Sequence, residues 1–329
     1  MEDLKKLFNS FNRIKVAVLG DVMLDTYMWG HVERISPEAP VPVVSLDKKE
    51  NRIGGAGNVA LNIRSLGAEV FVLSVIGADE DGDKLETLLK GKNIKTAYLL
   101  KSKERLTTNK TRIISRNQQM MRLDAEISND LSVADENKLL EKIETLIKKE
   151  KLDVLIFEDY NKGVLTEKLI RETIALCKKS NVICTVDPKR KNFFSYKGVD
   201  IFKPNLKEVK EGLNLLIDNV ELRQLKNIHK ELHAILDHKI SFITLSEKGV
   251  YYQQDGNASI IPSHFRNIAD VSGAGDTVIA VASLVYAVSK NIHLMADIAN
   301  IAGGLVCEEV GTMAINKEKL LQECELLLS

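Results

Sequence analysis

Asp270-Val271-Ser272-Gly273-Ala274-Gly275-Asp276 runs directly into the apolar stretch Thr277–Val288. Small residues let the backbone turn tightly and leave space against it for a ligand. The apolar stretch reads as a buried helix over Asp276–Ser289, whose first amides lack partners within the helix and whose dipole favours negative charge. A helix start of this kind is an anion hole, suited to a phosphate that gains charge during transfer. Asp276 falls in the first turn, where the dipole favours the ionised form a general base requires. An ordinary glycine-rich helix start with a dipole-friendly aspartate has the same appearance.

Outward from this junction, short apolar runs alternate with amphipathic stretches. Lys15–Gly20, Val70–Ile76, Val154–Phe157, Val182–Val186, Asp200–Phe202 and Phe242–Leu245 read as strands. Ala56–Leu66, Glu167–Lys178, Met295–Glu309 and Lys317–Leu327 read as helices. Continuous apolar strands separated by helices predict an α/β fold with a mostly parallel sheet covered on both faces. Two segments break the rhythm. Tyr27–Leu46 holds Pro37, Pro40 and Pro42, and Thr107–Leu123 is rich in β-branched and polar residues. Proline confines the first to an edge strand or flap, and the two segments (27–46 and 107–123) read as one small β-sheet lid inserted twice into a single domain spanning 1–329.

Ligands of open α/β sheets bind at the carboxyl ends of the strands. There the sequence places Gly20-Asp21 and Asp25, Glu158 to Lys162, Asp187-Pro188-Lys189, Lys203-Pro204-Asn205 with Glu208, and Ser246-Glu247-Lys248. Solvated loops would also be polar. Gly54-Gly55-Ala56-Gly57-Asn58 opens a helix and reads either as a sugar site, where bare backbone permits close approach, or as a tight turn. It is not a dinucleotide fingerprint, and no G-x-x-x-x-G-K-[ST] loop occurs anywhere.

Composition narrows the partners. Forty-six basic and 46 acidic residues give zero formal net charge, which argues against nucleic acid or an anionic membrane. No apolar run approaches the ~18 residues of a membrane span, and the mixed-charge N-terminus is unlike a signal peptide. Cys177, Cys184, Cys307 and Cys324 show no zinc spacing and read as reduced, packed residues of a cytoplasmic protein. The histidines have no metal spacing either. Trp29, the only tryptophan, reads as lid packing ahead of a stacking platform, and the charged segment Glu136–Lys151 as a solvated helix face with ion pairs.

Asp270–Asp276 together with Gly54–Asn58 resembles the paired signatures of the ribokinase (PfkB) carbohydrate kinases. Further matches in family order are GDVMLDTYMWG (20–30), GGAGNVALNIRSLGA (54–68), RLD (122–124), DYNKG (159–163), DPK (187–189), KPNLKE (203–208), TLSEKG (244–249) and AGGLVCEEVGT (302–312). RISPEAPVPVV (34–44) and SRNQQ (115–119) resemble the branch that phosphorylates D-glycero-D-manno-heptose 7-phosphate at carbon 1. Members of that branch stand alone or form the N-terminal half of a bifunctional ADP-heptose synthesis protein.

The resemblance implies a ribokinase-like fold, ATP and Mg²⁺ as cofactors, and heptose 1,7-bisphosphate as product, a step towards the lipopolysaccharide core. It implies that Asp276 deprotonates the acceptor hydroxyl while the amides of Gly273, Ala274 and Gly275 hold the moving phosphoryl group. Asn205, Leu206, Lys207 and Glu208 correspond to the family's N-x-x-E nucleotide motif, with Glu208 acting on Mg²⁺ through water. Ser246 and Gly249 would lie along the nucleotide, and Asn300 near its base. Asp25, Gly54, Gly55 and Asn58 would grip the sugar, and Arg122, Lys162 and Lys189 are candidates for its distal phosphate. Similar lids pair across a dimer, so a homodimer is implied. Two departures stand out. Glu158 occupies a position where a small residue is expected, so it either adds charge to the pocket or faces away. The chain ends at Ser329 without an H-x-G-H motif, so no nucleotidyltransferase domain is expected. The alternatives are a kinase of the same fold for another sugar or phosphosugar, and a non-catalytic sugar- or nucleotide-binding protein.

Overall fold

The computed structural model describes residues 2–116, 118–216, 221–264, 266–309 and 311–328. Asn117 of the SRNQQ segment and Val310 of AGGLVCEEVGT lie outside the described residues. An eight-stranded sheet forms the centre, in the order 257–261, 250–254, 240–244, 201–202, 183–187, 154–158, 15–20 and 69–73. All its strands run parallel except 250–254, which is antiparallel to both neighbours. Strand Val154–Glu158 is buried at every position because helices cover both faces. Ala56–Ser65, Ala274–Ser289 and Ile292–Val306 pack on one face, and Val133–Glu150, Glu167–Lys179 and Leu222–Leu236 on the other.

The expected strand Val70–Ile76 divides at Ser74. Glu69–Leu73 stays in the main sheet, whereas Val75–Gly77 pairs with Leu100–Ser102. The buried Ser74 hydroxyl donates to the Gly20 carbonyl at 2.6 Å, a side-chain bond where the main ladder ends. The helix after the glycine turn starts at Ala274, and the next begins at Ile292 behind an Asn291 cap.

The two irregular segments do form one sheet. Its order is 42–55, 22–35, 109–115, 118–125, so it begins earlier and ends later than the proline-rich stretch indicates. Val22 pairs with Gly55 at the base, which roots the lid beside the glycine cluster. Pro37 and Pro40 fall in the connecting turn and Pro42 takes a strand's first position, where no ladder amide is lost. Trp29 stacks on Tyr27 with ring centroids 5.5 Å apart, and Lys48, Arg52 and Arg112 lie over the two rings. Trp29 is therefore part of lid packing.

The charged helix Val133–Glu150 is not solvated throughout. Two carboxylates of its first turn are buried: Asp135 accepts from the Ser102 hydroxyl at 2.5 Å, and Glu136 accepts from Thr166 and pairs with Lys168 at 3.0 Å. The helix N-terminus favours these carboxylates, which lets them be buried with donors. All four cysteines are free thiols, three of them buried. Among the described residues no helix is long and apolar enough to cross a membrane.

Far from the strand carboxyl ends, His229, His233 and His238 pack with ring centroids 5.6 to 5.7 Å apart. The Ser241 hydroxyl bridges His229 and His238 at 2.9 and 2.6 Å. Burial lowers the His229 pKa to about 4 and that of His238 to about 3. The unfolded chain therefore binds more protons below about pH 6.5, so stability falls as the pH drops from there towards these folded values. Thermal melts should show the midpoint declining from pH 7 to pH 5, and His238→Gln should flatten that decline.

Candidate active site

Three carboxylates meet where the strands end. Glu158 closes strand 154–158, Asp187 closes strand 183–187, and Asp276 sits in the first turn of Ala274–Ser289. One oxygen of each lies within 4.8 Å of the others, and all three residues are buried. Lys203, 2% exposed, contacts Asp187 Oδ2 at 2.7 Å, and Lys189 contacts Asp187 Oδ1 at 3.3 Å. These two ammonium groups hold Asp187 below the usual carboxylate value despite its burial.

Glu158 has the opposite fate. Neither of its oxygens has a hydrogen-bond partner among the described residues. Burial, with Asp187 and Asp276 nearby, pushes its pKa well up. Its surroundings thus favour the protonated acid, whereas the ammonium groups of Lys189 and Lys203 favour the ionised form of Asp187. The sequence left open whether Glu158 faces the pocket; it does. A raised carboxylate pKa means the folded state holds the proton longer, so Glu158 costs stability as the pH rises above its unfolded value. Glu158→Gln should raise the melting temperature at pH 8 and leave it nearly unchanged at pH 4.

Burial raises the Asp276 pKa to about 6, and donors on both oxygens oppose the rise. Asn58 Nδ2 donates to Oδ2 at 2.7 Å and the Tyr160 hydroxyl donates to Oδ1 at 2.8 Å. Gly273 adopts φ 78°, and a Cβ there would stand 2.7 Å from Asn58 Nδ2, so both conformation and space require glycine. The turn is pinned by Asp270, which accepts from the Ser272 and Gly311 amides, both at 2.9 Å. Of the three glycine-turn residues, Ala274 turns its amide back to the Val271 carbonyl at 3.3 Å. The amides of Gly275 and Asp276 have no acceptor among the described residues and form the open part of the helix start. A Cβ at Gly275 would meet only ordinary contacts, 3.5 Å from Asp187 Oδ2 and 3.8 Å from Lys203 Nζ.

On the lid side, Asp25 is buried and pairs with Arg112 at 2.6 Å. A Cβ on Gly54 would overlap the Asp25 carboxylate, and one on Gly55, at φ 59°, would overlap the Asp21 carbonyl. The glycine pair is therefore both a required turn and a bare wall beside Asp25. Asn58 Oδ1 is buried without a donor among the described residues. Asn58, on the helix that follows Gly55, thus connects this lid-side group to Asp276.

On the other side, Asn205 and Glu208 form a reciprocal capping box for helix Leu206–Leu213: Asn205 Oδ1 accepts from the Glu208 amide and Glu208 Oε2 from the Asn205 amide, each at 2.8 Å. Glu208 Oε1 accepts from Lys189 at 2.7 Å. The N-x-x-E spacing is thus a structural cap with one carboxylate oxygen left facing the pocket cations. Leu206 is half-buried, and Lys207 is exposed and pairs with Glu211 at 3.8 Å. Ser246 and Gly249 bracket the turn after strand 240–244, where a Cβ on Gly249 (φ 93°) would overlap the Ile261 carbonyl. Asn300 donates to the Pro262 carbonyl at 2.8 Å.

The three phosphate candidates are each held by different carboxylates. Lys162 pairs with Glu126 at 2.7 Å, Lys189 lies between Asp187 and Glu208, and Arg122 is exposed on the lid, bonded to Asp124 at 2.9 and 3.0 Å. Register places Arg122 directly opposite Arg112, hence on the face of the lid that carries Asp25 and Tyr27. Arg112, Tyr160, Asp187 and Lys203 were missed as site residues. Arg112 had a signal in the two-residue alternation of its strand, and the other three in their places at strand ends.

A buried carboxylate beside open helix amides, lysines at the strand ends and a lid sheet are the parts a small-molecule phosphotransferase needs. Residues 13–319 match the profile of the pfkB family carbohydrate kinases, and the chain belongs to that family. It is 37% identical over 323 residues to the bifunctional protein HldE of Geotalea uraniireducens, covering 98% of this chain and 65% of that one. It is 39% identical over 307 residues to HldE of Aliarcobacter butzleri, covering 93% and 63%. The chain thus spans slightly less than two thirds of the length of these relatives. Its fold is similar to that of phosphofructokinase-2 from Escherichia coli, with a TM-score of 0.79, 18% identity and coverage of 96% of this chain and 100% of that one. It is likewise similar to Arabidopsis thaliana ribokinase, with a TM-score of 0.72, 16% identity and coverage of 94% and 99%.

Proposed function

We propose that this kinase transfers the γ-phosphoryl group of ATP to the C1 hydroxyl of D-glycero-D-manno-heptose 7-phosphate, giving the 1,7-bisphosphate for ADP-heptose synthesis. The observation that carries the chemistry is Asp276, held by two donors at the open end of a helix whose Gly275 and Asp276 amides are free. The heptose assignment is supported by extended similarity to proteins named HldE, over nearly the whole chain.

In this reading the sugar lies between Asp25, the Gly54–Gly55 wall and Asn58, whose unpartnered Oδ1 accepts a sugar hydroxyl. Asp276 takes the proton of the C1 hydroxyl as its oxygen attacks the γ-phosphorus, and the leaving group is ADP. The Gly275 and Asp276 amides, with Gly273 shaping the turn, stabilise the charge spread over the transferring oxygens. The nucleotide lies along Ser246 and Gly249 towards Asn300. Mg²⁺ fits the donor chemistry near the phosphates: Glu208 Oε1 is a hard carboxylate oxygen, and its contact with Lys189 leaves reach through water. When bound, the ion would neutralise phosphate charge. Lys162, Lys189, Arg122 and its neighbour Arg112 are the cations available to the 7-phosphate, Arg112 and Arg122 lying on the lid face that meets the sugar.

The lid also supports a homodimer. Strand Gln118–Ala125 is exposed at every residue, including Met120, Met121 and Leu123, and the lid carries Ile35, Val41 and Leu46 exposed as well. A second copy would cover this edge and its apolar side chains.

The test is ADP release with Mg-ATP and heptose 7-phosphate, beside ribose, fructose 6-phosphate and adenosine. Turnover with the heptose alone supports the reading. Turnover with another acceptor keeps the kinase and replaces the sugar; tight nucleotide binding without any turnover favours a binding protein.

A further inference from the structure

The phenol of Tyr160 is one of the two donors to the proposed base, and what that contact does for the reaction goes beyond the roles above. We propose that Tyr160 is a positioning residue for phosphoryl transfer, its hydroxyl holding the Asp276 carboxylate in place and in its ionised form against the carboxyl groups beside it. This rests on the reading of Asp276 as base.

The backbone that carries Tyr160 is fixed from two sides. The buried Asp21 carboxylate accepts from the amides of Tyr160 and Lys162 at 3.0 Å each and from that of Val164 at 3.1 Å. Asp159, also buried, accepts from the Asn161 amide at 2.8 Å and is itself held by the Tyr196 hydroxyl at 2.7 Å and Asn192 at 3.2 Å. Asn161 and Gly163 take left-handed conformations, φ 56° and 84°, that fold the loop around Asp21. Few loop motions remain to carry the phenol away, and the tyrosine side chain has only two torsions to lose.

The geometry also leaves the base usable. An ionised carboxylate offers about four acceptor sites. Tyr160 takes one on Oδ1 and Asn58 one on Oδ2, so each oxygen keeps another for the substrate hydroxyl. Facing Asp276 are Glu158 and Asp187 from the neighbouring strand ends, Lys189 beyond Asp187, Lys203 bonded to Asp187, and Tyr160 itself. Burial and the negative neighbour Asp187 favour the protonated base, whereas the two donors and Lys189 favour the ionised one. Burial and the surrounding carboxylates push the Tyr160 phenol well above its ordinary value, so it remains a donor throughout the working range.

Tyr160→Phe removes the hydroxyl and keeps the ring. With Mg-ATP and the acceptor that turns over in the panel above, kcat is measured against pH for wild type, Tyr160→Phe and Asp276→Asn. The acidic limb in Tyr160→Phe should move up by about one pH unit. Its kcat should be depressed near pH 6, recover towards wild type near pH 8.5, and leave the acceptor KM nearly unchanged. A second measurement, NMR titration of the ¹³C-labelled Asp276 carboxyl, should show the same upward displacement without relying on turnover. An unmoved limb and an unmoved carboxyl titration, or a loss of kcat equal at every pH, overturns the role of Tyr160 and leaves the base intact. Wild-type turnover in Asp276→Asn overturns the base itself, and this proposal with it.

Discussion

Asp276→Asn is expected to lower kcat by about 10²–10⁴-fold, the contribution of a positioned general base, while nucleotide binding and the fold persist. The substitution is nearly isosteric. The asparagine oxygen still accepts from the Tyr160 hydroxyl, and Asn58 need only turn its amide over to present Oδ1, now unpartnered, to the new NH₂ group. What is lost is the capacity to take a proton. Stability should move the other way. The Asp276 pKa is raised to about 6, chiefly by burial, so the folded state resists the ionised form and pays for it above the unfolded value. The neutral amide removes that cost, and the variant should melt at or above the wild-type temperature at pH 8. The wild-type kcat should in turn decline as the pH falls through about 6, where the base becomes protonated. Turnover within tenfold of wild type in Asp276→Asn would show that the proton leaves by another route.

Much of this architecture was readable because each signal was local. Strand Lys15–Gly20 is a continuous apolar run because both faces are covered, and the prolines at 37, 40 and 42 could belong only to an edge or turn. The helix start at 273–276 declares itself through small residues, of which Gly273 is required by its φ and its close neighbour Asn58. The lid's true extent was hidden because Val22–Leu24 and Ile53–Gly55 are as apolar or as small as main-sheet and turn residues, and only pairing assigns them to the lid. The partnerships in the pocket were hidden for a different reason. Lys203 and Asp187 are 16 positions apart, Tyr160 and Asp276 are 116, and side-chain type gives no hint of which strand ends will be neighbours. Glu208 shows the converse: the motif was legible, but its structural half, the cap with Asn205, emerges only from the bonds.

Lys203→Met is expected to be the most destabilising change in the pocket. Methionine fills the lysine stem's volume, so little packing is lost, but Asp187 loses the ammonium 2.7 Å from Oδ2 while remaining buried. Removing one member of a buried pair costs about 3–5 kcal/mol. Lys189, 3.3 Å from Oδ1 and partly exposed, keeps the expected loss at the lower end of that range. Chemical denaturation at pH 7 measures it directly. The pH dependence gives a second check. Asp187 is held below its ordinary value of 3.8 by the two lysines. Its stabilisation is therefore present above the unfolded pKa and lost as the pH falls through the lower folded one. The gap between wild type and Lys203→Met should be full at pH 7 and narrow below pH 4. Adding Asp187→Asn to Lys203→Met should recover most of the loss, because a neutral amide no longer needs the ammonium. A single variant that loses less than about 1 kcal/mol, the size of an exposed ion pair, would mean that water reaches Asp187 and that the carboxylate group at the strand ends is not the closed, protein-balanced cluster its contacts describe.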